Sequence, residues 1–493
     1  MNVLDKVISF FSPSTGFRRV KYREASRQYE AASKGRRTDG WVTSTGNKNR
    51  EIVASLPMLR ERSEDLRKNN PYANKAIRSI ANNTTGTGII PAIMNDRVKR
   101  AWKAWAATGT HCDFDERMNF YGLQNLVMKT VATTGECIVK RIRTSSIAKP
   151  TNVAPLELQV LPSEYLDVNK NLASLKTGQG WVIGGVEYNG KGKKVAYWIF
   201  PKDPCEYILP SERVPAKDVL HIFEVDNPGQ ARGVPFGTPS ILSLRDYDEY
   251  ADAQLMRQKV AACFSVFISD ANDISGVSSI GRKADDEGIR ERVEPGIIQN
   301  LPPGKTVSFA SPPGAEGYKD YSRQVLQSIS AGYGMSYEAL SNDLSNVNFS
   351  SGRMGWLEFN RNVEAWQSFT LIPAFCDKAF AWFMEAAELA GLVKDKSYSP
   401  DWTAPRRTMI DPVKETAGLL AQVRSGFLTW QEAVRSLGYQ PEEIIDELKK
   451  AKDLFDKNGL QPECDPRYDA QKIKQMLDAA AQDEVNNDTA TEK

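Results

Sequence analysis

The strongest constraint on this chain is the stretch over residues 321–358, which reads YSRQVLQSISAGYGMSYEALSNDLSNVNFSSGRMGWLE. It places an apolar helix, a loop of small polar residues and a second helix in immediate succession. Gly332 and Gly334 are expected to end the first helix, because glycine interrupts a helical pattern. Residues 343–352 contain too much Ser and Asn to bury a core, so they predict an exposed loop. The apolar stripe of the first helix comprises Leu326, Ile329, Ala331 and Tyr333.

A long aromatic helix is predicted directly after this loop. Ser350 or Ser351 can cap a helix that begins near Arg353 and runs to about Gly391. Pro373 falls inside it, and an interior proline removes one backbone hydrogen bond and clashes with the preceding turn, so we expect a kink there. The large apolar side chains of this helix are Trp356, Phe359, Val363, Trp366, Phe369, Phe375, Phe380 and Phe383.

The residues before this segment predict a mixed α+β region. Apolar periodicity favours helices at about residues 59–82, 95–107 and 123–134. Alternation of β-branched or aromatic residues with polar ones predicts strands at residues 136–143, 156–162, 180–188, 194–201 and 218–224. The fold class is therefore α+β, with helices in the majority.

Charge is distributed unevenly, although the net value is only +2 for 493 residues. The first 50 residues are basic, which suits either a nucleic-acid or partner tether or a flexible solvated tail. The C-terminal end is acidic and is predicted to be disordered. A protein that grips DNA tightly needs a strong basic excess, because phosphate neutralisation dominates non-specific affinity. This chain lacks such an excess.

One segment imitates a nucleotide-binding loop. GVEYNGK, over residues 185–191, has the spacing of a phosphate-binding loop, but Gly192 stands where a magnesium-binding Ser or Thr is required. Strand patterns lie on both sides, so NGKG is expected to be a hairpin turn. Gly86, Thr87 and Gly88 lack the third glycine of a dinucleotide fingerprint and are expected to form a turn that closes a helix.

The sequence proposes no active site. With only His111 and His221 present, the usual general base is nearly absent, and His221 is expected to be structural within a strand. Six scattered cysteines without a CxxC pair favour reduced core thiols over a disulfide or a zinc site. We therefore predict no catalytic residue, no cofactor and no metal, and no window is apolar enough for a membrane span.

A helix is also predicted over residues 239–268, and its outer face is heavily charged. This face either pairs with another subunit or is simply solvated. Its charged positions are Arg245, Asp246, Asp248, Glu249, Asp252 and Arg257. The following residues 270–315 are punctuated by Gly and Pro and predict brief strands between turns.

Four segments, in this order, resemble phage portal proteins of the lambda type. RSEDLRKNNPYANKAIRSIANNTTGTGI (residues 62–89) is similar to the family's N-terminal helix and its VGTG turn, and PFGTPSILSLRDYDEYADAQLMRQKVAACFSVFI (residues 235–268) to its central helix. Residues 321–353 resemble the family's pattern "R-IA-G-G--YE-LS-D-S--NYSS-R", and IDPVKETAGLLAQVRSGFLTWQEAVRSLGYQPEEI (residues 410–444) its C-terminal segment. Phe349 stands where the family usually has Tyr, and Gly352 where it often has Ala.

The resemblance implies a division of the chain along the portal fold. Residues 1–55 would form a basic N-terminal arm, 56–236 an α+β wing, 237–269 a stem helix, 270–315 the clip and 316–336 the second stem helix. Residues 337–352 would form the tunnel loop, 353–392 the kinked tunnel helix, 393–460 a helical crown region and 461–493 an acidic, disordered tail.

The resemblance also implies functional positions. Terminase would dock on the clip at Arg290, Arg292 and Glu294. Arg353 is expected either to make a weak phosphate contact or merely to pair with Glu358 or Asp343. The residues expected at the DNA channel are Asp343, Ser345, Asn346, Asn348, Phe349, Ser350, Ser351 and Arg353.

The expected function is a portal: a ring of about twelve subunits at one capsid vertex, through which double-stranded DNA is packaged and ejected. Near-neutral charge suits a conduit through which DNA slides. The expected partners are DNA, the large terminase subunit, the capsid or scaffold protein and a head-tail adaptor, with the virion as final location and the host cytoplasm during assembly. The alternatives are a head-tail adaptor or binding module without a conduit role, and a hydrolase whose site the sequence does not display.

Overall fold

The computed structural model describes residues 46–144, 150, 152–173, 178–262, 266–270, 305–309, 317–395, 397–405 and 411–460. The chain separates into two compact units, Met1–Glu51 and Ile52–Lys493. Only residues 46–51 of the first unit are among those described, so the fold given below is that of the second.

The helices of the described residues are α1 (Lys48–Asn69), α2 (Pro71–Thr85), α3 (Asp96–Ala106), α4 (Gly109–Cys112), α5 (Phe120–Thr134), α6 (Ile241–Ala262), α7 (Tyr318–Gly332), α8 (Tyr337–Ser341), α9 (Phe349–Ala365), α10 (Asp377–Leu389), α11 (Pro412–Arg424), α12 (Trp430–Ser436) and α13 (Pro441–Asn458). A π-helix, Trp366–Cys376, joins α9 to α10. None of these helices is long and apolar enough to cross a membrane.

The strands are β1 (Ile90–Ala92), β2 (Glu136–Arg143), β3 (Leu156–Leu161), β4 (Trp181–Ile183), β5 (Val186–Tyr188), β6 (Lys194–Ile199), β7 (Glu212–Pro215), β8 (Val219–Phe223), β9 (Val266–Asp270), β10 (Lys305–Phe309) and β11 (Asp401–Thr403). All pairings are antiparallel: β3-β2-β8, β4-β5-β6-β7, and the pairs β1-β11 and β9-β10. The α+β class predicted from the sequence is confirmed.

Asparagine and proline decide where several helices begin. The Asn70 side chain accepts a hydrogen bond from the Ala73 N–H, and Pro71 occupies the first position of α2, where its missing N–H costs nothing. The sequence pattern predicted one continuous helix over residues 59–82. This prediction is wrong at residue 70, because the cap and the proline end α1 and start α2 there.

Gly135 closes α5 and turns the chain into β2. Its φ of 89° is left-handed, and a Cβ at this position would meet the Val234 carbonyl carbon at 2.4 Å. Only glycine combines this conformation with so close an approach of another backbone. Because of this turn, Glu136 is the first residue of β2 and lies in the interior.

An aromatic core joins α3, α5, the π-helix and α10 to the β3-β2-β8 sheet. The Trp102 ring lies 4.9 to 5.0 Å from the rings of Phe120, Phe380 and Phe383, measured between centroids. The Trp105 indole N–H donates to the Leu156 carbonyl at 2.8 Å, so its polar atom is satisfied inside the core. Aromatic pairs of this kind contribute about 0.5 to 1.5 kcal/mol each beyond their buried area.

A second core packs α2 against α6, α7 and α9. Ile80, Leu244 and Ile329 are each 0% exposed at its centre. The segment singled out first in the sequence is therefore carried by helices with buried apolar faces. The loop between these helices is held at both ends by packed structure.

The long helix changes its hydrogen bonding around Pro373. A π-helix runs over Trp366–Cys376 and contains this proline, which has no N–H to donate to the preceding turn. Gln367 lies buried in the same segment and donates from Nε2 to the Thr84 carbonyl at 2.7 Å. The sequence predicted a kink at Pro373, and the structure shows a widened segment that starts at Trp366.

Candidate functional site

The turn after α7 is anchored in the core. α7 ends at Gly332, as predicted, and Gly334 has a left-handed φ of 67°. Asn362 of α9 donates from Nδ2 to the Gly334 carbonyl at 2.8 Å, which ties the turn to the long helix. Tyr333 is buried beside it, and burial raises the pKa of Tyr333 to about 12.

The short helix α8 lies within the predicted tunnel loop. Ser336 caps it by accepting from the Ala339 N–H at 3.3 Å, and Leu340 is 1% exposed. Asn342 ends it in the left-handed conformation and accepts a hydrogen bond from the Lys75 ammonium of α2. Helix α8 thus occupies residues 337–341 of the predicted tunnel loop, and the polar stretch expected to be exposed begins after it, at Asp343.

Asp343 orders the beginning of the loop proper. Its Oδ1 accepts from the Ser345 hydroxyl and, at 3.1 Å, from the Ser345 N–H, and its Oδ2 accepts from the Tyr337 hydroxyl at 3.0 Å. These hydrogen bonds, that of the Ser345 side chain first, lower the pKa of Asp343 to about 2. The neighbouring Leu344 is 67% exposed, so the loop itself adds little to the core.

Asn348, and neither of the two serines expected, caps the long helix. Its Oδ1 accepts from the Ser351 N–H at 2.8 Å, while the Ser351 hydroxyl accepts from the Asn348 N–H at 3.2 Å. Helix α9 therefore begins at Phe349, before the predicted start at Arg353. Phe349, Ser350 and Ser351 belong to its first turn, and only the residues before them form the loop.

Arg353 projects from α9 and is exposed. Both carboxylates that were its alternative partners are engaged elsewhere: Glu358 pairs with Arg361 at 3.4 Å, and Asp343 with Ser345 and Tyr337. Arg353 borders an open groove of about 550 Å³ between α9 and the helices α11 and α12. Its guanidinium makes no ion pair with the described residues, which keeps the phosphate contact a prediction.

Some of the charged side chains of α6 make contacts within the chain. Arg245 donates from Nε to Glu249 Oε1 at 2.9 Å, an exposed pair along the helix. Asp248 instead accepts from the Asn70 side chain at 2.9 and 2.8 Å, so it ties α6 to the α1–α2 junction. The other positions expected at a subunit contact are exposed or half-buried: Asp246, Asp252 and Arg257.

A buried ionic cluster lies at the start of β2, and the sequence did not predict it. Glu136 is 0% exposed and pairs with Arg60 of α1 and with Arg232. Its Oε2 accepts from the Gly233 N–H at 2.9 Å and lies 2.8 Å from His221 Nε2. Arg232 also donates from Nη1 to the Gly184 carbonyl at 2.6 Å. The cluster therefore joins α1, β2, β8 and the β4–β5 turn.

The electrostatics of this cluster follow from its burial. Burial alone would raise the pKa of Glu136, but Arg232 and Arg60 outweigh it and hold that pKa well below its usual range. Burial lowers the pKa of His221 to about 4, although its hydrogen bond to Glu136 acts in the opposite sense. His221 is thus neutral at pH 7 and confirms the expectation of a structural histidine in a strand.

The two segments whose glycine spacing resembles nucleotide-binding motifs are turns in the described part of the chain. Residues 189–193 join β5 to β6, and the Asn189 side chain accepts from the Lys191 and Lys193 N–H groups, so the predicted hairpin turn is confirmed. Gly86 closes α2, also as expected. Within the described ranges, no group of three His, Cys, Asp or Glu side chains is arranged to hold a metal ion.

Four cysteines lie in the described part of the chain, and none of the four forms a disulfide there. Cys112, Cys137 and Cys376 are buried, in agreement with core thiols, whereas Cys205 is exposed. Cys263 and Cys464 lie outside the described residues.

The sequence profile described as phage portal protein, lambda family, matches residues 34–367, which include the helix–loop–helix segment over residues 321–358. The chain belongs to this family. Its helix–loop–helix segment over residues 321–358 is therefore portal structure, and the resemblance noted from the sequence is confirmed.

Individual relatives share the portal name at low identity. A probable portal protein of Halomonas phage phiHAP-1 is 23% identical, covering 95% of this chain and 94% of the relative. Portal protein B of Escherichia phage lambda is 20% identical, with 87% of this chain and 89% of that protein covered. Both matches extend along almost the whole portal chain.

Among solved structures, the neck of a native gene transfer agent particle, computed with C12 symmetry, matches 79% of this chain and 94% of its own. The identity is 16% and the TM-score 0.46. A portal protein of the HK97 family from Corynebacterium diphtheriae matches with 8% identity and a TM-score of 0.32.

Two short strands lie at the ends of the segment predicted to form the clip. β9 and β10 pair antiparallel, with Val266 opposite Phe309 and Asp270 opposite Lys305, and so bring the two ends of the predicted clip together. Arg290, Arg292 and Glu294, the positions predicted to dock terminase, lie outside the described residues. So do most of the arm and the acidic tail over residues 461–493.

Proposed function

We propose that this portal protein forms a closed ring of about twelve copies at one vertex of a phage head. Double-stranded DNA passes through the ring during packaging and ejection. The large terminase subunit and later a head-tail adaptor dock on the clip, and the capsid or scaffold protein surrounds the ring. Assembly takes place in the host cytoplasm, and the energy for DNA movement comes from hydrolysis of ATP by a partner.

The family match over residues 34–367 is the observation that carries this proposal. A ring is needed physically, because one chain of 493 residues cannot surround a duplex, and heterologous interfaces close a ring when their rotation closes. The C-terminal helices suit such interfaces. In isolation α11 buries no side chain and α13 buries only Pro441, so neighbouring copies would supply the missing contacts.

The tunnel loop after Asp343 is the part proposed to meet DNA. Ser345 and Asn346 are exposed, and small polar side chains give hydration without the repeated cationic contacts that would hold a phosphate backbone. Arg353, exposed near the start of α9, is proposed as one weak phosphate contact per subunit. The charged positions of α6 other than Asp248 are proposed to contact the next subunit.

Native mass measurement of the purified chain tests the ring. We expect an assembly of about a dozen subunits, and a stable monomer would contradict the proposal. Such rings should show no ATP hydrolysis above background. Activity lost on Lys191→Ala would mean that the hairpin turn is a nucleotide site after all.

A second experiment tests the loop. Asn346→Lys should leave ring assembly unchanged, because Asn346 is exposed, and should slow DNA packaging more at low salt than at high salt, since counterion release strengthens phosphate contacts. Asn348 is unsuitable for this test because it caps α9. Asn169→Lys, at an exposed turn of the α+β region, is the matched control. Unaltered packaging by Asn346→Lys would mean that DNA does not meet the loop.

A further inference from the structure

A cleft of about 610 Å³ at the elbow between α1 and α2 is used by none of the sites described above. Its lining combines three cations, Lys68, Lys75 and Arg78, with amide and hydroxyl side chains, and it contains no carboxylate. The remaining lining residues are Asn69, Asn70, Pro71, Asn74, Ser79 and Asn82. Helix α2 as a whole, PYANKAIRSIANNTT, also lacks Asp and Glu.

The outward groups of this cleft are available to a ligand. Lys68 and Arg78 are exposed, and neither makes an ion pair or hydrogen bond to the described part of the chain. Asn82 is exposed and its oxygen accepts from Asn125 at 3.1 Å, while its amide nitrogen is a further hydrogen-bond donor. Asn70 and Asn74 hold the elbow itself, through the cap of α2 and the Arg67 carbonyl.

The cleft lies beside the tunnel segment. The Lys75 ammonium donates to Asn342, the residue that precedes Asp343. On the opposite side, Asn70 holds Asp248 of the stem helix α6. The cationic face of α2 thus continues the surface of the tunnel loop toward the stem, with a direct side-chain contact between the two.

We propose that this face of α2, with Lys68, Arg78 and Asn82 as its contacting groups, is a second surface for the phosphate backbone of the translocating duplex. This inference rests on the ring function proposed above and adds a site to it. Cations mixed with amide and hydroxyl donors are the side chains that contact phosphates without reading sequence. The amides add hydrogen bonds without adding charge, so the duplex is guided and still slides.

A neighbouring copy of the chain is the less suitable occupant. The exposed side chains of the cleft are polar, whereas the buried centres of subunit interfaces are apolar and depleted in lysine. A phosphate backbone, in contrast, leaves its contacts hydrated and needs no apolar surface.

Equilibrium binding of a short linear duplex to assembled rings tests the proposal. With Lys68→Gln and Arg78→Gln combined, the loss of affinity between roughly 50 and 200 mM salt should shrink by at least about tenfold, which is the effect of removing two phosphate contacts from a single subunit. The matched control is Lys191→Gln with Lys193→Gln, which removes two exposed cations from the β5–β6 turn. The control rings should retain the salt dependence of the wild type.

Photo-crosslinking tests independently whether DNA lies next to this face of α2. A photoactivatable group is attached to the new thiol of the Ser79→Cys variant, and the labelled rings are filled with DNA. Wild-type rings, which carry the label on their exposed Cys205, give the background. The variant should form protein–DNA adducts well above that background. Adducts at the wild-type level would overturn the proposal.

The outcomes separate the two proposals. If wild-type rings do not form or do not hold DNA, the ring function fails and this inference with it. If they do, but the Lys68/Arg78 variant has the same salt dependence as the control, only the α2 surface is wrong. If that variant fails to assemble, the face is a contact between subunits and the proposal is overturned.

Discussion

The cluster around Glu136 and the loop around Asp343 both contain a carboxylate whose pKa is held low, but by different means. Glu136 is fully buried and balanced by two guanidinium groups from distant parts of the chain. Asp343 is at the surface, and its hydrogen bonds come from Ser345 and Tyr337 nearby in sequence. A low carboxyl pKa thus marks long-range tertiary contacts at Glu136 and local hydrogen bonding at Asp343. The burial of the carboxylate distinguishes the two cases.

The largest expected effect is that of removing the buried charge. Glu136→Gln keeps the shape of the side chain but leaves Arg60 and Arg232 without a counter-charge in the interior. We expect the free energy of unfolding to fall by about 3 to 5 kcal/mol, as for other buried pairs that lose one partner. Guanidinium unfolding of the purified chain measures it.

Glu187→Gln is the control for this comparison. Glu187 pairs with Arg213 at 2.8 Å, but the Arg213 side chain is 48% exposed. Pairs exposed to this degree contribute less than about 1 kcal/mol. Equal losses in the two variants would show that the Glu136 cluster is no more important than a surface pair.

The second prediction concerns pH. His221 has a pKa of about 4 in the folded chain, below the ordinary value of 6.5, so the unfolded chain binds a proton first as pH falls. The free energy of unfolding should therefore decrease from about pH 6.5 toward pH 4, by about 3 kcal/mol from this group alone. Glu136 adds its own loss below about pH 4.5, where the unfolded carboxyl begins to bind a proton while the folded one, whose pKa is held well below the usual range, stays ionised.

His221→Gln should flatten this dependence, since glutamine can still donate to Glu136 and does not titrate. Unfolding free energies of both proteins between pH 7 and pH 5 measure the difference. An unchanged slope in the variant would mean that the folded chain binds the proton on His221 as readily as the unfolded chain does.

The smallest expected effect lies in the tunnel segment. Asn348→Ala removes the cap of α9 and should cost about 1 kcal/mol, confined to the first turn of that helix. Hydrogen exchange should therefore quicken at the Ser351 and Gly352 amides and stay unchanged at Glu136. Asp343→Asn, which keeps a hydrogen-bond acceptor, should leave the melting temperature unchanged. A global loss of stability from either change would remove the distinction between the two regions.

Local patterns predicted much of this fold. The strand over residues 136–143 and the end of α7 at Gly332 were found where expected, since alternation and glycine act within a few residues. The start of α9 was misplaced by a few residues, because Asn348, Ser350 and Ser351 can all cap a helix and the choice depends on how the loop meets the core. The prediction of a single helix over residues 59–82 was wrong because Pro71 starts a new helix, although the apolar periodicity continues through it.

By itself, the sequence determined the portal family, through the four segments that resemble it, and the α+β class and the helix–loop–helix succession, which follow from periodicity and turn residues. Only the tertiary structure decided that Arg60, Glu136, His221 and Arg232 share one buried site. No spacing links these four residues, since they are brought together by packing of α1 against two strands. The low-dielectric interior then makes their pairing obligatory, which no local pattern can record.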